Sequence, residues 1–139
     1  MRGTRRALAA LSVAALASGC GSSNSGPGPR EAWLHAAVAM ANSDGVAACA
    51  RFSPSVKNAL VTASRTSCPA AVKELADGLT GSDRAGVART KITSVSIKGS
   101  TATIVYDLNS GLRQLGFTGR SRLVNSNGKW LIAPRTGGS

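Results

Sequence analysis

Few side chains in this 139-residue sequence could carry out acid–base catalysis. Tyr106 and Asp107 are neighbours in a segment that alternates apolar and polar residues, and His35 is the only histidine. Adjacent residues of a strand point to opposite faces, so Tyr106 and Asp107 cannot enter one pocket without a bulge. His35 follows Glu31 by four residues, the spacing of a surface pair on a helix. We therefore predict that Tyr106 packs in the core, that Asp107 and His35 face solvent, and that none of them is catalytic.

Other catalytic and ligand-binding motifs are missing from the sequence. It contains no GxSxG nucleophile elbow and no glycine-rich phosphate loop. No CxxC pair accompanies the single histidine. We therefore expect no catalytic residue, no bound metal and no cofactor.

The first 19 residues have the three parts of an export signal. Three arginines precede the apolar run ALAALSVAALA, and small residues follow it. The segment Leu16–Cys20 resembles the lipobox of bacterial lipoproteins, in which a cysteine thiol takes a diacylglycerol before cleavage on its amino side. The resemblance implies that residues 1–19 are a cleaved signal peptide and that Cys20 anchors the protein to the outer face of the bacterial cytoplasmic membrane. An ordinary secretory peptide with a stray cysteine is the alternative.

The cysteine count is odd, because the chain has three. If a lipid modifies Cys20, Cys49 and Cys68 remain as a pair that can form a disulfide in an oxidising compartment. Such a bond closes a loop of about 20 residues and stabilises the fold by about 3 kcal/mol. Two buried free thiols and a metal-binding pair are the alternatives.

Residues 20–29, CGSSNSGPGP, contain no large apolar side chain. Such a segment cannot bury enough surface to offset the entropy of ordering, so we predict a flexible tether. The remaining length suffices for one hydrophobic core. We expect a single folded domain over residues 30–136.

The first half of this domain has apolar residues at helical spacing. The first predicted helix carries Trp33, and Cys68 is placed on the core side of the last one. Helices are predicted from about Arg30 to Asp44, around Cys49 and Phe52, after the N-cap pair Ser53-Pro54, and from Pro69. The polar segment Thr80 to Arg84 is expected to be a break.

The second half of the domain changes to the period of two that is typical of strands. Strands are predicted over Lys91 to Lys98, Thr101 to Leu108, about Leu112 to Asn125, and Lys129 to Ala133. The turns between them are expected at Gly99-Ser100, Asn109-Ser110-Gly111 and Asn127-Gly128. Helices followed by an antiparallel meander indicate an α+β fold.

The order of these elements resembles exported bacterial members of the nuclear transport factor 2-like superfamily. The resemblance rests on the order of these features: a first helix with Trp33, a segment from Cys49 to Phe52 before Ser53-Pro54, Cys68 at the start of the next helix, and the terminal hairpin at Asn127-Gly128. It implies N-terminal helices packed on a curved, cone-like antiparallel sheet that encloses a pocket. The side chains expected to line this mainly apolar pocket are Trp33, Tyr106, Leu115, Phe117, Trp130 and Ile132.

The charge of the chain favours anionic partners. Its formal net charge is +11, and loss of the three leader arginines leaves +8. Arg120 and Arg122 share one strand face and could contact an anionic group at the pocket rim. Nucleic acid is not expected as a partner, because the basic residues form no dense stripe with interleaved aromatic rings.

Two functions are consistent with these features. The first is a lipid-anchored, exported, non-enzymatic binding or accessory domain, whose partners are the membrane, a small apolar or anionic ligand, or a cell-envelope protein. The alternative is a small exported enzyme of isomerase or hydrolase type that uses a lone pocket acid or Tyr106. An enzyme requires a titratable side chain in an enclosed pocket, whereas a binding domain does not.

Overall fold

A computed structural model of the protein describes residues 26–135. The predicted signal peptide, Cys20 and most of the predicted tether lie outside the described residues. The elements in chain order are α1 (Pro29–Ala41), α2 (Gly45–Cys49), α3 (Pro54–Ser64), α4 (Cys68–Ala76), α5 (Gly81–Ala88), β1 (Ile92–Lys98), β2 (Thr101–Tyr106), α6 (Ser110–Gln114), β3 (Arg120–Ser126) and β4 (Lys129–Ala133). The predicted α+β class is confirmed, since five helices precede an open four-stranded sheet.

The sheet is an antiparallel meander with the strand order β1-β2-β3-β4. The β3–β4 turn has positive φ angles at Asn127 (53°) and Gly128 (82°), as a two-residue hairpin turn requires. Both residue types tolerate this conformation, which explains why the turn could be predicted from sequence. The segment around Phe52 covers part of the β4 edge through an isolated parallel bridge to Ile132.

The core lies between the helices and one face of the sheet. α1 packs on this face, and Trp33 at its centre is fully buried. The other large side chains with almost no exposure come from α4, α5, α6 and the two central strands: Val72, Val87, Leu112, Ile104 and Leu123.

The predicted break at Thr80–Arg84 is wrong, because α5 begins there. The Thr80 hydroxyl accepts a hydrogen bond from the Asp83 amide, and the Asp83 carboxylate accepts one from the Thr80 amide. This reciprocal pair is a capping box, which starts a helix. The Ser110 hydroxyl also donates to Asp83, and these hydrogen bonds hold the pKa of Asp83 below its usual value.

The predicted long strand from Leu112 to Asn125 is also wrong in its first half. The turn expected at Asn109-Ser110-Gly111 is instead the start of α6. The Asn109 side chain accepts a hydrogen bond from the Leu112 amide and caps this helix. Gly116 and Gly119 then adopt φ angles of 90° and 98°, which interrupt an extended strand. The strand is therefore confined to β3.

Arg84 on α5 holds the ends of two other helices. Its guanidinium donates hydrogen bonds to the carbonyl oxygens of Ala41 (2.9 Å), Leu79 (2.9 Å) and Ala76 (3.3 Å). Helix C-termini carry unpaired carbonyl groups and partial negative charge, so a cation there is stabilising. One side chain thus joins α1, α4 and α5.

The predicted disulfide between Cys49 and Cys68 is confirmed. It joins the end of α2 to the start of α4, with the two Cα atoms 6.2 Å apart. α2 can approach this closely because Gly45 has no side chain: a Cβ atom there would lie 2.8 Å from the Pro69 carbonyl carbon.

Candidate functional site

One cleft of the described residues has a volume of about 400 Å³. It lies at the end of the sheet where β3 begins and β4 ends. α3 and α4 form one side, and residues 115–118, which connect α6 to β3, form the other.

The wall of the cleft is apolar. It combines half-buried side chains with buried side chains of the core. The half-buried ones are Val56, Leu60, Leu75 and Phe117, and the buried ones are Met40, Phe52, Leu115 and Ile132. α3 contains no fully buried residue, and its apolar side chains pack at the edge of the core, where they line this cleft. An apolar wall of this size is typical of sites for small organic ligands.

A buried hydrogen-bond network forms the floor of the cleft. The Trp33 indole nitrogen donates to the Ser121 hydroxyl at 2.9 Å, and the Ser121 and Tyr106 hydroxyl oxygens lie 3.0 Å apart. The Trp33 and Tyr106 rings are also in contact, with their centroids 4.3 Å apart. Ser121 and Tyr106 both line the cleft, whereas Trp33 lies behind them.

The hydrogen bonds of the network determine how its protons are used. An indole N–H can only donate, so Ser121 must accept from Trp33. The Tyr106 and Ser121 hydroxyls carry two protons, and their mutual hydrogen bond uses one of them. Burial raises the pKa of Tyr106 above its usual value, so this hydroxyl stays protonated at neutral pH. The Tyr106–Ser121 hydrogen bond therefore leaves one of the two hydroxyl protons unused.

Three arginines surround the mouth of the cleft: Arg120, Arg122 and Arg135. Arg120 and Arg122 pair with Val105 and Thr103 on β2, on the face of the sheet opposite to the helices. The same three arginines line a neighbouring hollow of about 310 Å³. The residues lining the cleft include no carboxylate, so the arginines give the mouth a positive potential.

The structure brings together most of the side chains that the sequence analysis assigned to a pocket. Tyr106, Leu115, Phe117 and Ile132 line the cleft together with both predicted arginines. Trp33 does not line it, because its ring packs behind Tyr106. Trp130 does not line it either, because it pairs with Asn125 close to the β3–β4 turn.

Sequence reasoning missed several residues of the cleft. Ser121 lies on the same face of β3 as buried Leu123. A polar residue on this inner face could have identified Ser121 as a candidate site residue. The α3 and α4 side chains Val56, Leu60 and Leu75 also line the cleft, and periodicity identifies an apolar face without identifying what covers it. Nothing in the sequence placed Arg135 at the cleft.

The other candidate catalytic groups lie elsewhere. His35 on α1 and Asp107 after β2 are both exposed, and neither lines the cleft. Within residues 26–135, no group of three or more histidine, cysteine or acidic side chains is arranged to hold a metal ion. Over the same residues, no helix has the length and apolar character needed to cross a bilayer. The arrangement is suited to binding, since the cleft offers apolar surface, two hydroxyl groups and three cations.

Comparisons with known proteins identify no relative of this chain. No family model, no curated protein and no solved structure matches the chain.

Proposed function

We propose that the protein is an exported, lipid-anchored domain that binds, without chemical conversion, a small amphiphilic molecule with an anionic head. The observation that carries this proposal is the combination, in one cleft, of an apolar wall with three arginines and no carboxylate. The apolar wall would bind the aliphatic chain of the ligand, and the arginines at the mouth would bind its anionic head group.

The mixed lining of the cleft favours an amphiphilic ligand. Its apolar end lies between α3, α4 and Phe117, and its cationic end lies at Arg120, Arg122 and Arg135. Each methylene group removed from water contributes about 0.8 kcal/mol. Guanidinium groups bind carboxylates and phosphates through charge-assisted hydrogen bonds.

The export and anchoring parts of the proposal rest on the sequence. The tripartite leader and the lipobox-like segment ending at Cys20 support them. The proposed kinship with the nuclear transport factor 2-like superfamily, including a cone-like sheet, rests on the order of elements and on Trp33, Cys49 and Cys68.

Titration with decanoate and with decan-1-ol tests the binding proposal. We expect decanoate to bind about tenfold more tightly, because only its carboxylate forms charge-assisted hydrogen bonds with the arginines. Across octanoate, decanoate and dodecanoate, affinity should rise about fourfold per added methylene until the apolar end is full. Isothermal titration calorimetry measures both series.

The matched variants are Arg135→Gln at the mouth and Arg113→Gln, an exposed arginine of α6 that does not line the cleft. Only Arg135→Gln should weaken the binding of decanoate, and it should leave the affinity for decan-1-ol unchanged. Tyr106→Phe should change decanoate affinity by a few-fold through the lost hydroxyl. Equal binding of the acid and the alcohol, or equal effects of the two arginine variants, would contradict the proposal.

Replacement of Cys20 by serine tests the anchor. A serine hydroxyl cannot form the thioether to diacylglycerol, so we expect the Cys20→Ser protein to leave the membrane fraction. Cell fractionation followed by a high-salt wash measures this, with Ser22→Ala in the predicted tether as the control that keeps the lipid site. Retention of the Cys20→Ser protein in washed membranes would argue against lipid anchoring.

A further inference from the structure

The sheet has one face that the described helices do not cover. The strand register places on it Lys98 and alternate residues of β1, Thr103 and Val105 of β2, Arg120, Arg122 and Val124 of β3, and Lys129 and Leu131 of β4. We call this surface the outer face. Two hollows of about 310 Å³ each lie on it.

The excess of cations over carboxylates is larger in the second half of the described residues than in the first. From residue 91 to residue 135 there are seven cationic side chains and one carboxylate, Asp107. From residue 26 to residue 90 there are seven cationic side chains and five carboxylates. Four of the cations, Lys98, Arg120, Arg122 and Lys129, are on the outer face, and the register places no carboxylate there.

Between these cations the outer face carries small hydroxyl side chains and short apolar ones. Ser94 and Ser96 on β1 are exposed, and Val124 and Leu131 on the central and edge strands are half-buried. No aromatic side chain lies on this face, because Tyr106 and Trp130 alternate to the inner face. Base stacking is therefore not available to it, which disfavours single-stranded nucleic acid.

We infer that the outer face docks on the surface of a bilayer that contains anionic lipids. Each lysine or arginine near such a surface raises the affinity for it about fivefold. Arg120 and Arg122 belong both to the outer face and to the mouth of the cleft. Docking therefore places the mouth at headgroup level. The inference does not depend on whether the cleft binds an amphiphile.

Vesicle sedimentation with the full chain carrying Cys20→Ser tests the docking surface without an acyl anchor. The vesicles contain phosphatidylcholine alone or with phosphatidylglycerol. Lys98→Gln/Lys129→Gln removes two outer-face charges that do not line the cleft. We expect this variant to bind anionic vesicles about thirtyfold more weakly than the parent chain.

The control variant is Lys57→Gln/Lys73→Gln, which makes the same charge change on α3 and α4. It should bind anionic vesicles with nearly the parental affinity. Equal weakening by the two double variants would show that net charge and not the outer face drives binding, and would overturn the inference. Loss of vesicle binding in competition with an equal charge concentration of polyglutamate would also overturn it, because it would indicate a preference for soluble polyanions.

Discussion

Reduction of the Cys49–Cys68 disulfide is expected to lower the free energy of unfolding by about 3 kcal/mol. The two bonded cysteines lie 19 residues apart in the sequence. Closing a loop of this length lowers the conformational entropy of the unfolded chain, which corresponds to about 3 kcal/mol of stability. For a domain of this size, the melting temperature should fall by about 10–15 °C. Urea denaturation with and without a phosphine reductant measures the difference.

Cys49→Ala/Cys68→Ala is the control for this experiment. Both cysteines are buried, so alanine introduces no unpaired polar group. This variant should unfold like the reduced protein and should not respond to the reductant. If oxidised and reduced parent protein unfold at the same urea concentration, the bond does not stabilise the fold.

Replacement of Trp33 by alanine should cost about 3–5 kcal/mol of unfolding free energy. Trp33 has no exposed surface, contacts Tyr106 and Phe117, and supplies the indole donor to Ser121. Truncation of a buried aromatic residue loses its transfer free energy and leaves a cavity. It also removes a partner from a buried hydroxyl, which adds to the cost.

The chain's other tryptophan provides the comparison, because Trp130 is half-buried at the edge of the core. Trp130→Ala should cost less than half as much as Trp33→Ala in chemical denaturation. Trp33→Phe together with Ser121→Ala completes a double-mutant cycle for the indole–hydroxyl hydrogen bond. A coupling energy near zero would mean that Trp33 stabilises the protein through packing alone.

Features coded by short stretches of chain could be predicted from the sequence. Ser53 caps α3 through the Val56 amide, and Asn127-Gly128 forms the β3–β4 turn, because each depends on neighbouring residues. The capping box at Thr80 was an equally local signal, so α5 could have been found by the same reasoning.

The sequence by itself determined the α+β class, the cysteine pair and the arginines of β3, since helical and strand periods and residue types express these properties directly. Only the tertiary structure decided that the apolar stripe of α3 lines a cleft and that Arg135 joins Arg120 and Arg122 at its mouth. The physical reason is that periodicity states which face of an element avoids water, whereas the partner that covers this face depends on contacts between residues distant in the chain.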